Sequence, residues 1–213
     1  MSVSKKQLKL YAVAGSDTLK DGVKLTDAVE QAIMGGATIV QLREKHRSEE
    51  KIIDMAKELK PVCHKYNVPL IINDSVRIAY KAGADGVHLG LTDGDIIYAR
   101  RILGENAIIG ATAHNLHEAQ AAWAAGADYL GCGAVFGSPT KKNTVPLSID
   151  ELNRICTQIS LPVVAIGGIN AENAMQLKGS GIDGIAVVSA LFSHDDIQLS
   201  AAVLRDIVDK MES

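Results

Sequence analysis

The sequence predicts an α/β protein, a single-domain (β/α)8 TIM barrel over residues 1–213. Three observations carry that expectation. Eight short apolar runs alternate with eight amphipathic stretches, the order that puts a parallel sheet inside a ring of helices. The runs are apolar throughout, not at every second residue, as strands buried on both faces are. A short turn also recurs, as Gly35-Gly-Ala-Thr38, Ala82-Gly-Ala-Asp85, Ala125-Gly-Ala-Asp128 and Ser180-Gly-Ile-Asp183. Glycine suits the left-handed residue that ends a helix, because it has no Cβ to clash. A doubly wound open sheet is the alternative architecture for the same alternation.

Taken in order, Leu8–Val13 is the first apolar run and Leu25–Met34 the first helix. That helix ends on Gly35-Gly36 and releases into the strand Thr38–Leu42. Glu49–Tyr66 is a longer amphipathic helix, followed by the run Pro69–Ile72. Ser75–Ala82 ends on Gly83 and leads into Gly86–Leu89; Asp95–Leu103 leads into Ala107–Gly110. Leu116–Ala125 ends on Gly126 before Tyr129–Cys132, and Trp123 is expected in the shell between helices. Gly133–Leu147 is the longest expected loop, of the kind that often forms a lid or binding loop. Ile149–Ile159 then leads into Val163–Ile166, Ala171–Lys178 into Gly184–Val188, and Ile197–Met211 closes the series.

Composition narrows the function. A formal charge of -3 supplies no global basic field for nucleic acid, and 4% aromatic residues supply few stacking platforms. No apolar run approaches the roughly 20 residues of a membrane span. The basic start Met1–Lys6 runs straight into a strand-like segment, so no signal peptide is expected. Cys63, Cys132 and Cys156 form no CxxC pair, which favours reduced structural thiols and a cytoplasmic location. His46, His64, His117 and His194 are expected in solvent, and His88 as a hydrogen-bonded inward histidine near the site.

In such a barrel the C-terminal strand ends build the active site. The second strand closes on Gln41-Leu-Arg-Glu-Lys45, and alternation puts Gln41, Arg43 and Lys45 on one face. Two cations and an amide at a core strand end make a poor core and a good anion clamp. The other ends add Asn73 and Asp74, His88 and Asp93, Thr112, and a loop with Ser138, Thr140 and Lys141. Asp74 and Asp93 among cations are compatible with plain ion pairs, or with Mg²⁺, which takes one or two carboxylates plus substrate phosphates. Gly167-Gly168 and Val188-Ser189 end the last two strands, where barrels often hold a phosphate on backbone N–H groups. One Mg-pyrophosphate subsite and one monophosphate subsite suit a reaction joining a pyrophosphate ester to a phosphorylated nucleophile.

Gln41–Lys45, Asn73-Asp74, Gly83–Gly90 with Asp93, Thr112–His114, Gly133–Lys141, Ala165–Ile169 and Val188-Ser189 together resemble the thiamine-phosphate synthase family across essentially the whole chain. The resemblance implies a Mg²⁺-dependent transferase that condenses hydroxymethylpyrimidine pyrophosphate with hydroxyethylthiazole phosphate, releasing pyrophosphate. It implies a dissociative reaction, in which pyrophosphate leaves a pyrimidine methyl cation that the thiazole nitrogen captures. By motif, Gln41 would contact the pyrimidine, within a pyrimidine pyrophosphate set of Gln41, Leu42, Arg43, Glu44, Lys45, Asn73, Thr112 and Lys141. Arg43, Lys45, Lys141 and Thr112 would form its catalytic part, and Asp74 and Asp93 would hold the metal. Ser138, Pro139, Thr140, Gly168, Val188 and Ser189 would hold the thiazole phosphate. The chain departs from the family pattern at Leu91, where Gln is frequent, at Thr112, where Ser is usual, and in Gly137-Ser-Pro-Thr140. The related thiazole tautomerase, which uses a histidine near position 112, and a catalytically silent phosphate-binding barrel remain alternatives. The partners implied are small molecules, with homo-oligomerisation left open.

Overall fold

Eight parallel strands close on themselves in the computed structural model, which describes residues 3–137 and 146–211. The strands are β1 (Leu10–Ala14), β2 (Ile39–Leu42), β3 (Leu70–Asn73), β4 (Gly86–Leu89), β5 (Ile108–Ala113), β6 (Tyr129–Cys132), β7 (Val163–Ile166) and β8 (Gly184–Val187). Each pairs with its neighbour in sequence, and β1 pairs with β8 to seal the barrel. Around it lie α1 (Leu25–Met34), α2 (Glu49–Lys65), α3 (Val76–Ala82), α4 (Ile96–Leu103), α5 (Leu116–Ala124), α6 (Ile149–Gln158), α7 (Ser189–Phe192) and α8 (Ile197–Met211). No helix among the described residues is long and apolar enough to cross a membrane.

The recurring turn has two jobs. Gly36, Gly83, Gly126 and Gly181 all take positive φ, between 63° and 116°, which lets the chain leave the helix without Cβ strain. The residue two places later then ties down the start of a neighbouring strand. Asp85 accepts from Leu70 N–H at 2.8 Å, Asp128 from Ile109 at 2.8 Å and Asp183 from Val163 at 2.9 Å. Thr38 does the same for Leu10 at 3.1 Å. Strand alternation divides the core in two. Tyr11, Ile39, Ile71, Ile108, Tyr129, Val164 and Ala186 fill the barrel interior, while a larger apolar set packs between barrel and helices.

Four expectations need correction. Leu8 is not in the first strand; it ends a 3-10 turn, Lys5–Leu8, and plugs the bottom of the barrel together with Val3. The fifth strand continues past Gly110 to Ala113, because Ala111 and Ala113 pair with Leu130 and Cys132 on β6. The seventh helical stretch shrinks to a 3-10 turn, Ala174–Leu177, since Asn170 and Asn173 bond nearby backbone instead of continuing a helix. Trp123 is 45% exposed; α5 buries Leu116, Ala119 and Ala122, and the next residue falls off that stripe.

Candidate active site

A cleft opens at the C-terminal end of the barrel, with residues from all eight strands or their ends in its wall. Gln41, Arg43 and Lys45 all line it, as alternation required, although β2 itself stops at Leu42. Alternation also sends Leu42 and Glu44 away. Leu42 is 1% exposed and packs into the outer apolar shell. Glu44 accepts from Ser16 N–H at 2.5 Å and from Ser16 Oγ at 2.9 Å, so its carboxylate fastens the loop after β1. Both side chains therefore lie outside the cleft.

The cations face two carboxylates. Lys45 Nζ stands 3.6 Å from Asp74 Oδ2, and the Asp74 carboxyl lies near enough to Asp93 for the two acids to act on each other. Asp74 carries φ of +65°, a left-handed conformation that is uncommon outside glycine, and its N–H donates to His88 C=O at 2.8 Å. Asp93 is aimed by its own turn, where Oδ2 accepts from Gly90 N–H at 3.0 Å. Burial raises the Asp74 carboxyl above its ordinary value, and Asp93 beside it pushes the same way. Lys45 and Arg43 pull it back. Two acids held together in one cleft, with cations nearby, match the donor set that a divalent ion takes when phosphate supplies the other ligands. Among the described residues no set of three or more His, Cys, Asp or Glu converges as a complete protein-only cage.

The opposite wall is backbone. Gly167 and Gly168 have φ of +107° and +66°, and a Cβ on Gly168 would come within 2.7 Å of Phe136 O. Val135 N–H donates to Ile166 at 3.0 Å and Phe136 N–H to Gly167 at 2.9 Å, so the segment after β6 is laced to the end of β7. Val188 precedes the short α7, whose opening N–H groups at Ser189 and Ala190 lack carbonyl partners within the helix. Gly168, Val188 and Ser189 all line the cleft. Ser138, Pro139, Thr140 and Lys141 lie outside the described residues.

Asn73, Thr112 and His114 complete the lining, and Leu91 stands apart from it, 56% exposed. His88 is the hydrogen-bonded inward histidine expected: Nε2 lies 3.1 Å from Thr112 Oγ1 and Nδ1 3.1 Å from Tyr129 Oη. His114 Nδ1 is held by Glu118 at 3.0 Å. Tyr11 and Tyr129 were not expected in the site. Their signal was present as hydroxyl-bearing residues inside otherwise apolar strands; a buried Tyr O–H usually has a partner.

The profile of a family described as thiamine monophosphate synthase matches residues 10–191 of this chain. The thiamine-phosphate synthase of Ruminiclostridium cellulolyticum is 48% identical over 204 residues, which cover 96% of this chain and 97% of that one. A probable thiamine biosynthetic bifunctional enzyme, chloroplastic, of Oryza sativa is 45% identical over 95% of this chain but 38% of its own length. A solved structure of a thiamine phosphate pyrophosphorylase from Pyrococcus furiosus superposes with a TM-score of 0.88 at 36% identity, covering 98% of this chain and 99% of that one.

Proposed function

Because the chain belongs to the thiamine-phosphate synthase family, a family of transferases, we propose that its cleft joins hydroxymethylpyrimidine pyrophosphate to hydroxyethylthiazole phosphate. The observation that carries this reading is one cleft with two unlike walls, each of which suits an anion. Arg43 and Lys45 with Asp74 and Asp93 form one wall; Gly168, Val188 and Ser189 form the other.

Arg43 offers a planar fork that can grip two phosphate oxygens, whereas Lys45 supplies a point charge. Both sit where charge grows as pyrophosphate departs, and preorganised charge acts most strongly there. Lys141 and Thr112 join them in the proposed catalytic set, with Asn73 a further pyrophosphate contact. Asp74 and Asp93 would hold Mg²⁺, which when bound supplies positive charge to the pyrophosphate oxygens. Gln41 is assigned to the pyrimidine ring, and Leu42 and Glu44 receive no side-chain contact. The thiazole phosphate is assigned to backbone N–H groups of Gly168, Val188 and Ser189, with Ser138, Pro139 and Thr140 assigned to it by the family motif. In the proposed order pyrophosphate leaves, the ring amino group stabilises the methyl cation, and the thiazole nitrogen attacks. That nitrogen carries no proton, so no general base is required, and positioning accounts for most of the protein's share.

The purified chain, given both substrates and Mg²⁺, is expected to release thiamine phosphate and pyrophosphate in equal amounts. Interconversion of thiazole phosphate isomers without pyrophosphate release would overturn the reading in favour of a tautomerase. Binding of thiazole phosphate without any turnover would point to a silent barrel.

A further inference from the structure

A line of hydrogen bonds crosses the barrel beneath the cleft. Gln41 Nε2 donates to Tyr11 Oη at 2.9 Å, Tyr11 Oη lies 2.7 Å from Tyr129 Oη, and Tyr129 Oη lies 3.1 Å from His88 Nδ1. His88 Nε2 then meets Thr112 Oγ1 at 3.1 Å. Both ends, Gln41 and Thr112, face the cleft, while Tyr11 and Tyr129 are 2% and 0% exposed.

The Gln41 N–H at its head gives the line its direction, because the reverse order, from Thr112 O–H to Gln41 Oε1, would also satisfy every donor. Tyr11 O–H donates to Tyr129, Tyr129 O–H donates to His88 Nδ1, and His88 Nε2–H donates to Thr112 Oγ1. Each link fixes the next, because a buried hydroxyl left without a partner is costly. The barrel makes room for the line. A Cβ on Gly110 would overlap the Tyr129 ring and come within 2.5 Å of His88 Nδ1, and one on Gly131 would come within 2.9 Å of His88 Cε1. Glycine at these two interior strand positions leaves the space that Tyr129 and His88 fill.

We propose that Tyr11, Tyr129 and His88 are positioning residues, a buried wire that fixes which edge of the Gln41 amide faces the substrate and so selects an amino over an oxo pyrimidine. With one N–H committed to Tyr11, Gln41 keeps Oε1 and its second N–H for the cleft. That acceptor–donor pair matches an amino group beside a ring nitrogen, as an amide reads adenine. Reversal of the wire would turn one Oε1 lone pair onto Tyr11 and present the cleft with the pair in the opposite order, a match for an oxo group beside a ring N–H. The inference rests on the reading above that Gln41 contacts the pyrimidine.

The test uses the full chain and two pyrimidine monophosphates, amino and oxo, which lack the pyrophosphate leaving group. Calorimetry is expected to show the amino ligand binding about tenfold tighter, as one matched against one mismatched hydrogen bond allows. Gln41→Ala should abolish that preference. Tyr11→Phe should cut it about fivefold while leaving affinity for thiazole phosphate unchanged, a split that general loosening of the fold would not produce. Tyr129→Phe should give a smaller cut in the same direction, and it carries the test if Tyr11→Phe fails to fold. Full preference in the Tyr variants, alongside its loss in Gln41→Ala, overturns the wire but keeps Gln41 on the pyrimidine. Full preference in Gln41→Ala overturns the pyrimidine reading of Gln41 and the wire with it.

Discussion

Gly110→Ala isolates the packing that holds the site. Gly110 lies inside β5, opposite His88 on β4 and Tyr129 on β6. The added methyl would overlap the Tyr129 ring and approach His88 Nδ1 to 2.5 Å. Tyr129 is fully buried, so it cannot swing outward to make room. Overpacking of this kind costs about 1–3 kcal/mol. Displacing Tyr129 also strips its hydroxyl of the 2.7 Å bond to Tyr11 and the 3.1 Å bond to His88, at about 1 kcal/mol each with a further penalty if a hydroxyl is orphaned. A total loss of about 3–5 kcal/mol follows, which for a chain of this size lowers the melting temperature by roughly 6–20 °C. Thermal unfolding followed by circular dichroism reads it, with Gly137→Ala as the control. Among the described residues a Cβ at Gly137 meets nothing within 4 Å, so that variant should stay within about 0.5 kcal/mol of the parent. A Gly110→Ala protein that melts with its parent would refute the packing account of the Tyr129–His88 slot.

Asp74→Asn should trade function for stability. The Asp74 carboxyl is raised in the folded chain by burial and by Asp93, so its contribution to stability is complete below the ordinary carboxylate pKa and is lost as pH rises through the folded value. In metal-free buffer at neutral pH, Asp74→Asn is therefore expected to melt at or above the parent temperature, with the difference closing at acid pH; a clear drop at neutral pH would contradict this. Added Mg²⁺ should raise the melting temperature of the parent and not that of Asp74→Asn or Asp93→Asn, and equal shifts in all three would remove the metal from those carboxylates. Both variants should lose about a hundredfold in turnover, as measured by pyrophosphate release. Burial pushes the Cys63 and Cys156 thiols up to about 12, so a thiol reagent at mild alkaline pH should label the folded chain slowly and the denatured chain fast; rapid labelling without denaturant would contradict that burial.

The barrel was legible because its signals are local. Continuous apolar runs, helical spacing and the glycine turn each occupy a few consecutive residues. The same locality placed Gln41, Arg43 and Lys45 on one face, since a strand alternates whatever surrounds it. Alternation also excludes Leu42 and Glu44 from the cleft, which the family resemblance, naming the whole segment, did not separate. The tyrosine wire was illegible for the opposite reason. Tyr11 and Tyr129 are 118 residues apart, and only closure of the barrel brings their hydroxyls to 2.7 Å. The stretch Ala171–Lys178 misled because its apolar spacing is helical while two asparagines claim the backbone first. Trp123 misled because size suggested burial, whereas α5 assigns its inner stripe to small alanines and one leucine.

The central claim is that one cleft holds two separate anion sites, with Arg43 belonging to the pyrophosphate side alone. Steady-state kinetics of Arg43→Ala with each substrate varied in turn tests it most directly. The account predicts that KM for the pyrimidine pyrophosphate rises about tenfold or more and kcat falls, as loss of a bidentate charged contact requires, while KM for thiazole phosphate holds. An equal rise in both KM values, or no change in either, would contradict it.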